Sequence, residues 1–427
     1  MPTSALGTIM NSVRVPEIRK KLLFTAAMLA LYRVGAYIPA PGINVDAVDD
    51  ISKQFAGSNV LGFLNLFSGG SLQRFAVFAL GIMPYITASI ILQLLQVVLP
   101  SLEKLRKEGE VGQQKITQYT RYLTVALAFF QSIGYVFLFR TFARDANQNI
   151  VDGFTFMHVL VIVLALTAGT VLLMWFGELI TQRGIGNGIS LMIFASIIAG
   201  IPNGVQSWWT NPDQVFKVMM PFLALAVIAA IVFIQEGQRR IPVQYAKRVV
   251  GRRMAGGGQT YLPLRVNMAG VIPVIFAASL MAFPPTIGQL VQAKWAQDFS
   301  NFLNPNGAAY VIGESLLIIV FTYFYTAVTF NPVEQADNLK KYGGFIPGVR
   351  PGRPTAEFLD RILARLTFPG ALYLAAVAAL PTILINQTSA NFFFGGTSIL
   401  IVIGVALDTM KQLEAQLMMR NYEGFLK

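Results

Sequence analysis

Apolar residues gather along this chain into ten runs bounded by charged residues or by clusters of Gly, Pro and Asn. The runs extend from Leu22 to Ile38, Phe75 to Val98, Tyr119 to Phe139, Thr155 to Phe176, Gly186 to Ile201, Val218 to Gln235, Met268 to Val291, Tyr310 to Phe330, Thr367 to Ile385 and Phe394 to Met410. They are too long for globular strands, and about 20 apolar residues carry a helix across a bilayer. The pattern predicts a polytopic helical membrane protein, with the run from Gly186 to Ile201 its weakest span.

Composition agrees with the pattern. Of 427 residues, 54% are hydrophobic and 13% charged, with a mean hydropathy of +0.57; soluble domains carry about 25% charged residues. The chain has no Cys and a single histidine, His158, which removes disulfides, thiolate metal sites, Cys nucleophiles and His-paired catalysis. No Gly-x-x-x-x-Gly-Lys-Ser/Thr run is present, so no P-loop is expected. Catalytic residues, metal ligands and cofactors are accordingly expected to be none, and Gly184-Ile-Gly-Asn-Gly188 is a tight connection. Residues Met1 to Lys21 lack a small-residue cleavage site behind an apolar stretch, so the first run is expected to stay as a span.

The distribution of charge orients the spans. Of 33 Lys and Arg, 26 fall in the N-terminal segment, in every second loop after it and in the C-terminal tail. The positive-inside bias then places both termini in the cytoplasm. Without the short fifth span the basic loops at 236–266 and 331–366 would lie outside, so ten spans are preferred to nine. Anionic lipid headgroups explain most of the net charge of +12. They explain it less well between 236 and 266, where Arg239, Arg240, Lys247, Arg248, Arg252 and Arg253 crowd together, and between 331 and 366, where Arg350 sits in the turn Ile346-Pro-Gly-Val-Arg-Pro-Gly352. Both loops are candidate docking surfaces for a cytoplasmic partner.

Ten spans divide into halves, 1–206 and 207–427, and an odd number per half forces equivalent spans into opposite directions. Gly81-Ile-Met-Pro84-Tyr-Ile86-Thr-Ala88 in the second span is echoed by Gly270-Val-Ile-Pro273-Val-Ile275-Phe-Ala277 in the seventh. Inverted repeats are a transport architecture. The outer loop before Phe75 holds Val60, Leu61, Gly62, Phe63, Leu64, Asn65, Leu66 and Phe67, too short as a helix to cross, followed by Ser68, Gly69 and Gly70, a flexible hinge by composition. Such a segment either lies on the outer leaflet or re-enters the protein. Of the charges in and beside the spans, Arg33, Arg74 and Glu314 sit near outer ends, which argues against an ion-coupled carrier with a polar midplane site.

Seven motifs taken together, Phe67-Ser-Gly-Gly70, Ala79-Leu-Gly-Ile-Met-Pro-Tyr-Ile86, Arg183-Gly-Ile-Gly-Asn-Gly-Ile-Ser190, Val266-Asn-Met-Ala-Gly-Val-Ile-Pro273, Ala336-Asp-Asn-Leu-Lys-Lys341, Phe345-Ile-Pro-Gly-Val-Arg-Pro-Gly352 and Phe394-Gly-Gly-Thr-Ser398, resemble the bacterial SecY family, the central channel subunit of the Sec protein translocase. The resemblance runs in order along essentially the whole chain. It implies an all-α polytopic membrane protein of the bacterial cytoplasmic membrane, with ten transmembrane helices in two inverted five-helix halves around a central hourglass pore, and a short re-entrant plug helix at 60–70. The matching pore-ring positions are Ile82, Ile86, Ile189, Ile193, Ile275 and Ile401.

A ring of branched apolar residues carries no charge to trap a substrate and resists wetting when empty. The implied partners are SecE-type and SecG-type small subunits, a SecA-type motor ATPase, the ribosome, signal peptides and nascent polypeptides, and anionic lipids. The paired Gly-x-x-Pro helices, with Thr87, Gln93, Gln131 and Asn267 as polar residues in apolar surroundings and Phe283 opposite Thr87, outline a lateral gate between the second and third spans and the seventh and eighth. A small-solute carrier and a membrane-embedded hydrolase are the competing classes; the first lacks its polar site and the second any nucleophile and base.

Overall fold

The computed structural model describes residues 15–44, 47–48, 65, 67–145, 155–210, 214–245, 248–250, 253–255, 259–290, 294–303, 307–388 and 396–425. Thirteen helices are described: α1 (Pro16–Gly35), α2 (Met83–Val98), α3 (Pro100–Lys107), α4 (Glu110–Asp145), α5 (Phe156–Arg183), α6 (Gly188–Thr210), α7 (Gln214–Glu236), α8 (Ile272–Leu290), α9 (Lys294–Phe302), α10 (Ala308–Thr329), α11 (Pro332–Lys341), α12 (Arg353–Thr388) and α13 (Gly396–Phe425). Six helical stretches among the described residues are long and apolar enough to cross a membrane, or seven if the bent pair α2–α3 counts as one, and the apolar stretch Ile272–Met281 is shorter. Helices α1 and α13 occupy the first and tenth expected spans.

Several ends follow from local chemistry. Pro16, Pro84 and Pro100 stand in the first turn of α1, α2 and α3, where a missing N–H costs nothing. Pro100 also drives Leu99 into extended backbone, and the chain turns by 98° there. The Asn331 side chain caps α11 by accepting from the Val333 and Glu334 amides. The fifth run is longer than its apolar core suggests, since α6 continues through Pro202 to Thr210.

The chain forms two compact units. The first comprises Met1–Trp209, Ser279–Tyr310 and Val405–Lys427. Its main core gathers Phe75, Leu80, Phe139, Ile162 and Leu166, with the Phe75 and Phe139 rings edge-on at 4.2 Å. Helices α4 and α5 meet through small polar residues, Ser132 Oγ lying 3.3 Å from Thr167 Oγ1, a packing habit of membrane helices. The two ends of the outer loop are joined by an antiparallel bridge between Pro39 and Ala76, in which the Ala40 amide donates to the Phe75 carbonyl (3.0 Å) and the Val77 amide to Ile38 (2.9 Å).

The second unit comprises Thr210–Ala278 and Val311–Gly404. It adds strands to the helical architecture. Strands β1 (Gln238–Tyr245) and β4 (Gln259–Arg265) pair antiparallel, β5 (Gly344–Phe345) joins β1, and β2 (Arg248–Val250) pairs with β3 (Arg253–Ala255). The stretch 236–266, expected as a basic loop, is therefore largely a β-ribbon. Ile241, Val243 and Leu264 alternate inward from it onto Phe330, Ile346, Leu359, Ile362 and Leu363, so the ribbon and the Pro/Gly-rich turn share one small core with α12.

Candidate functional site

The outer segment is described at Asn65 and from Phe67 onward; Val60, Leu61, Gly62, Phe63, Leu64 and Leu66 lie outside the described residues. The hinge expected at Ser68-Gly-Gly70 is a fixed turn. Gly69 (φ 64°) and Gly70 (φ 86°) take left-handed backbone that only glycine adopts freely, and the Gly70 amide donates to the Asn65 carbonyl at 3.0 Å. The Asn65 side chain closes the turn by accepting from the Gln73 amide and donating to Gln73 Oε1.

This stem is held by residues that the sequence did not single out for the purpose. The buried Tyr32 hydroxyl of α1 donates to the Ser68 carbonyl (3.2 Å) and lies 2.5 Å from Ser196 Oγ of α6. Arg33 Nη1 donates to the Gly69 carbonyl at 2.6 Å. The fit is close: a Cβ at Gly69 would lie 2.9 Å from the Tyr32 hydroxyl and 3.2 Å from the Ser196 backbone. Flexible in composition, the Ser-Gly-Gly stretch is held because the Ser68 and Gly69 carbonyls accept from Tyr32 and Arg33 of α1, with Ser196 of α6 bracing the Tyr32 hydroxyl.

The repeated Gly-x-x-Pro motif corresponds to a repeated local structure. Gly81 (φ 58°) and Gly270 (φ 64°) both turn left-handed, and α2 and α8 each begin two residues later. The amides of Tyr85 and Ile86 donate to the Ile82 carbonyl, as those of Val274 and Ile275 donate to Val271. Among the ring positions, Ile82, Ile86 and Ile193 are buried in the first unit and Ile275 and Ile401 in the second. Ile189 is half-buried and packs toward Gly177, where a Cβ would lie 3.3 Å from Ile189 Cγ1.

Of the expected gate residues, Thr87 and Asn267 are buried and Gln93 and Gln131 half-buried. Their hydrogen bonds are intrahelical or local: Thr87 Oγ1 donates to the Met83 carbonyl, Gln93 Nε2 to Ser89 Oγ, and Asn267 Nδ2 to the Gly270 carbonyl. Their side-chain oxygens, Gln93 Oε1 and Asn267 Oδ1, are buried without a hydrogen-bond partner among the described residues. The Phe283 side chain lies outside the described residues. Helices α2 and α8 do meet within the first unit, where Ser279 Oγ lies 3.8 Å from Met83 Sδ.

An ion pair close by escaped the sequence reading. Arg121 of α4 grips Glu178 of α5 through two parallel bonds of 2.9 and 2.6 Å, and its remaining nitrogen donates to Gln118. The fork fixes the end of the third span against the fourth.

On the second unit, Arg239 and Arg240 are exposed on β1, and Arg350 is exposed in its turn. Ile346 and Val349 anchor that turn in the small core, and Thr355 Oγ1 donates to the Arg350 carbonyl (2.8 Å), so the guanidinium is displayed from a rigid support. Arg248 and Arg253 belong to β2 and β3, their side chains outside the description; Lys247 and Arg252 lie outside the described residues.

Three comparisons bear on these features. A family model described as SecY matches residues 76–410. The protein translocase subunit SecY of Mycobacterium bovis is 50% identical over 99% of this chain and its own full length, and that of Streptomyces scabiei is 49% identical over the same shares. Among solved structures, a protein-conducting channel aligns over 95% of this chain and 96% of its own with a TM-score of 0.62 at 19% identity. Sec61 of the canine ribosome-channel complex from the endoplasmic reticulum aligns over the same shares with a TM-score of 0.59 at 18% identity.

Proposed function

The chain belongs to the SecY family of protein translocase subunits, and from that premise we propose that it is the channel through which unfolded secretory polypeptides cross the bacterial cytoplasmic membrane. The observation that carries this reading is the outer segment's stem, Phe67 to Gly70, seated on Tyr32, Arg33 and Ser196. A loop that leaves the first span and is held between two spans suits a plug.

In this reading Ile82, Ile86, Ile189, Ile193, Ile275 and Ile401 form the apolar constriction, and residues 60–70 the plug above it. The N-terminal five spans and the C-terminal five are inverted halves, a reading supported by the shared structure of the two Gly-x-x-Pro motifs. Signal peptides and membrane-protein segments leave sideways past Thr87, Gln93, Gln131, Asn267 and Phe283. Buried amide oxygens without partners favour that use, because they cost little to separate. Both termini lie in the cytoplasm, where Arg239, Arg240, Lys247, Arg248, Arg252, Arg253 and Arg350 receive a ribosome or a SecA-type motor, and SecE-type and SecG-type subunits complete the assembly.

Single-channel conductance of the purified complex in planar bilayers tests the seal. Plug deletion should raise the resting leak modestly, since the constriction remains. Ser or Asn at Ile86, Ile193, Ile275 and Ile401 should give a larger, steady leak, because dewetting needs an apolar wall. Polar-ring channels as ion-tight as the parent, with the plug also deleted, would reject these isoleucines as the seal.

A further inference from the structure

Basic residues are scarce on the side of the membrane that the proposed orientation makes the outer one, yet two of them converge on a single aromatic ring. The Arg33 guanidinium carbon lies 5.0 Å from the Tyr37 ring centroid and that of Arg74 lies 4.0 Å from it. Arg33 Nη2 also donates to the Tyr37 hydroxyl at 3.1 Å. No carboxylate among the described residues pairs with either arginine. Two like charges gathered around one exposed tyrosine repel each other, and the cation–π contacts offset only part of that repulsion.

The surroundings indicate what completes the site. Tyr37 stands just past the end of α1 and is 52% exposed. Leu31 and Val34, and beyond them Ile38, form an exposed apolar strip beside it, suited to an acyl chain. Arg33 spends one donor on Gly69 and one on Tyr37, and a guanidinium has five, so donors remain on both arginines. We propose that Arg33, Tyr37 and Arg74 form a binding site for the phosphate of an anionic phospholipid of the outer leaflet, its acyl chains lying along Leu31, Val34 and Ile38. Because Arg33 also holds the Gly69 carbonyl, the bound headgroup sits one side chain away from the plug stem. The leaflet assignment rests on the orientation proposed above; the binding chemistry does not.

The test is native mass spectrometry of the intact translocase complex released from nanodiscs of phosphatidylglycerol and phosphatidylcholine. The parent should retain a phosphatidylglycerol that Arg74→Gln loses by about tenfold in occupancy, as expected for one charge-assisted contact. Arg74→Lys should retain it in part, and Tyr37→Phe largely, since the ring platform survives. Equal phosphatidylglycerol occupancy in the parent, Arg74→Gln and the double variant Arg33→Gln/Arg74→Gln overturns the site, and so does equal loss of both lipids. The leaflet is read separately: the chain has no Cys, so Pro41→Cys gives a single thiol for a membrane-impermeant maleimide. Labelling from outside supports the outer leaflet, whereas protection overturns that assignment and the orientation together while the lipid-occupancy result still decides the binding site.

Discussion

Removing the Tyr32 hydroxyl isolates the hold on the Phe67–Gly70 stem, because Tyr32→Phe keeps the ring that fills the space against Phe78. Two contacts disappear, the 3.2 Å bond to the Ser68 carbonyl and the 2.5 Å contact with Ser196 Oγ. Neither partner is left bare: the Ser68 carbonyl keeps the Ser71 amide at 3.3 Å, and Ser196 Oγ reaches the Met192 carbonyl at 2.9 Å. Each lost bond is then worth its net value, about 0.5–1.5 kcal/mol, and the pair about 1–2 kcal/mol. Since about 1.4 kcal/mol is a factor of ten in an equilibrium, and of the two only the Ser68 bond is broken when the stem leaves, the ratio of seated to released stem should fall roughly 2- to 13-fold. The assay is the resting open probability of the complex in planar bilayers, with export of a precursor bearing a weakened signal peptide as the cellular counterpart. Both should rise. Ser196→Ala should act in the same direction but less, because Tyr32 still reaches Ser68. A resting open probability within about twofold of the parent for Tyr32→Phe would refute the reasoning, since a buried hydroxyl with two partners cannot be energetically silent if the stem moves.

The Arg121–Glu178 pair is partly buried, with Glu178 15% exposed, so Glu178→Gln should lower thermal stability by about 1–3 kcal/mol while the double variant Arg121→Met/Glu178→Met recovers part of the loss; thermal unfolding of the purified complex measures it, and neutral single variants would reject the pin. Arg350→Glu should abolish translocation in proteoliposomes and leave the melting temperature unchanged, because the side chain is exposed and only its backbone carries the turn; full translocation would leave these arginines as topology signals alone.

The spans were legible because hydrophobic runs need no long-range information, and Gly-x-x-Pro was legible because left-handed glycine and first-turn proline are local demands. The ribbon was hidden. Ile241 and Val243 alternate as a strand should, but Arg239, Arg240 and Pro242 between and before them mask so short a pattern, and proline disfavours the assignment. The stem's support was hidden for another reason: Tyr32 and Ser196 lie 164 residues apart, and neither stands out from its helix until the fold brings them together beside the stem. Arg121 and Glu178, 57 residues apart, failed the same way. The proposed isoleucine ring rests on family resemblance, since an isoleucine in a span ordinarily packs or meets lipid.

The bridge between Pro39 and Ala76 has a bearing on how such a protein diversifies. It fixes the ends of the outer loop to one another, so a change of length inside the loop need not move the spans it joins: each doubling of loop length costs only about 0.6 kcal/mol in closure entropy. Insertions, deletions or a grafted reporter after Val48, which packs in the first unit's core, and before Asn65 leave the register of the first and second spans to the bonds of Ala40 and Val77. Lineages are free to retune the stopper without renegotiating the walls.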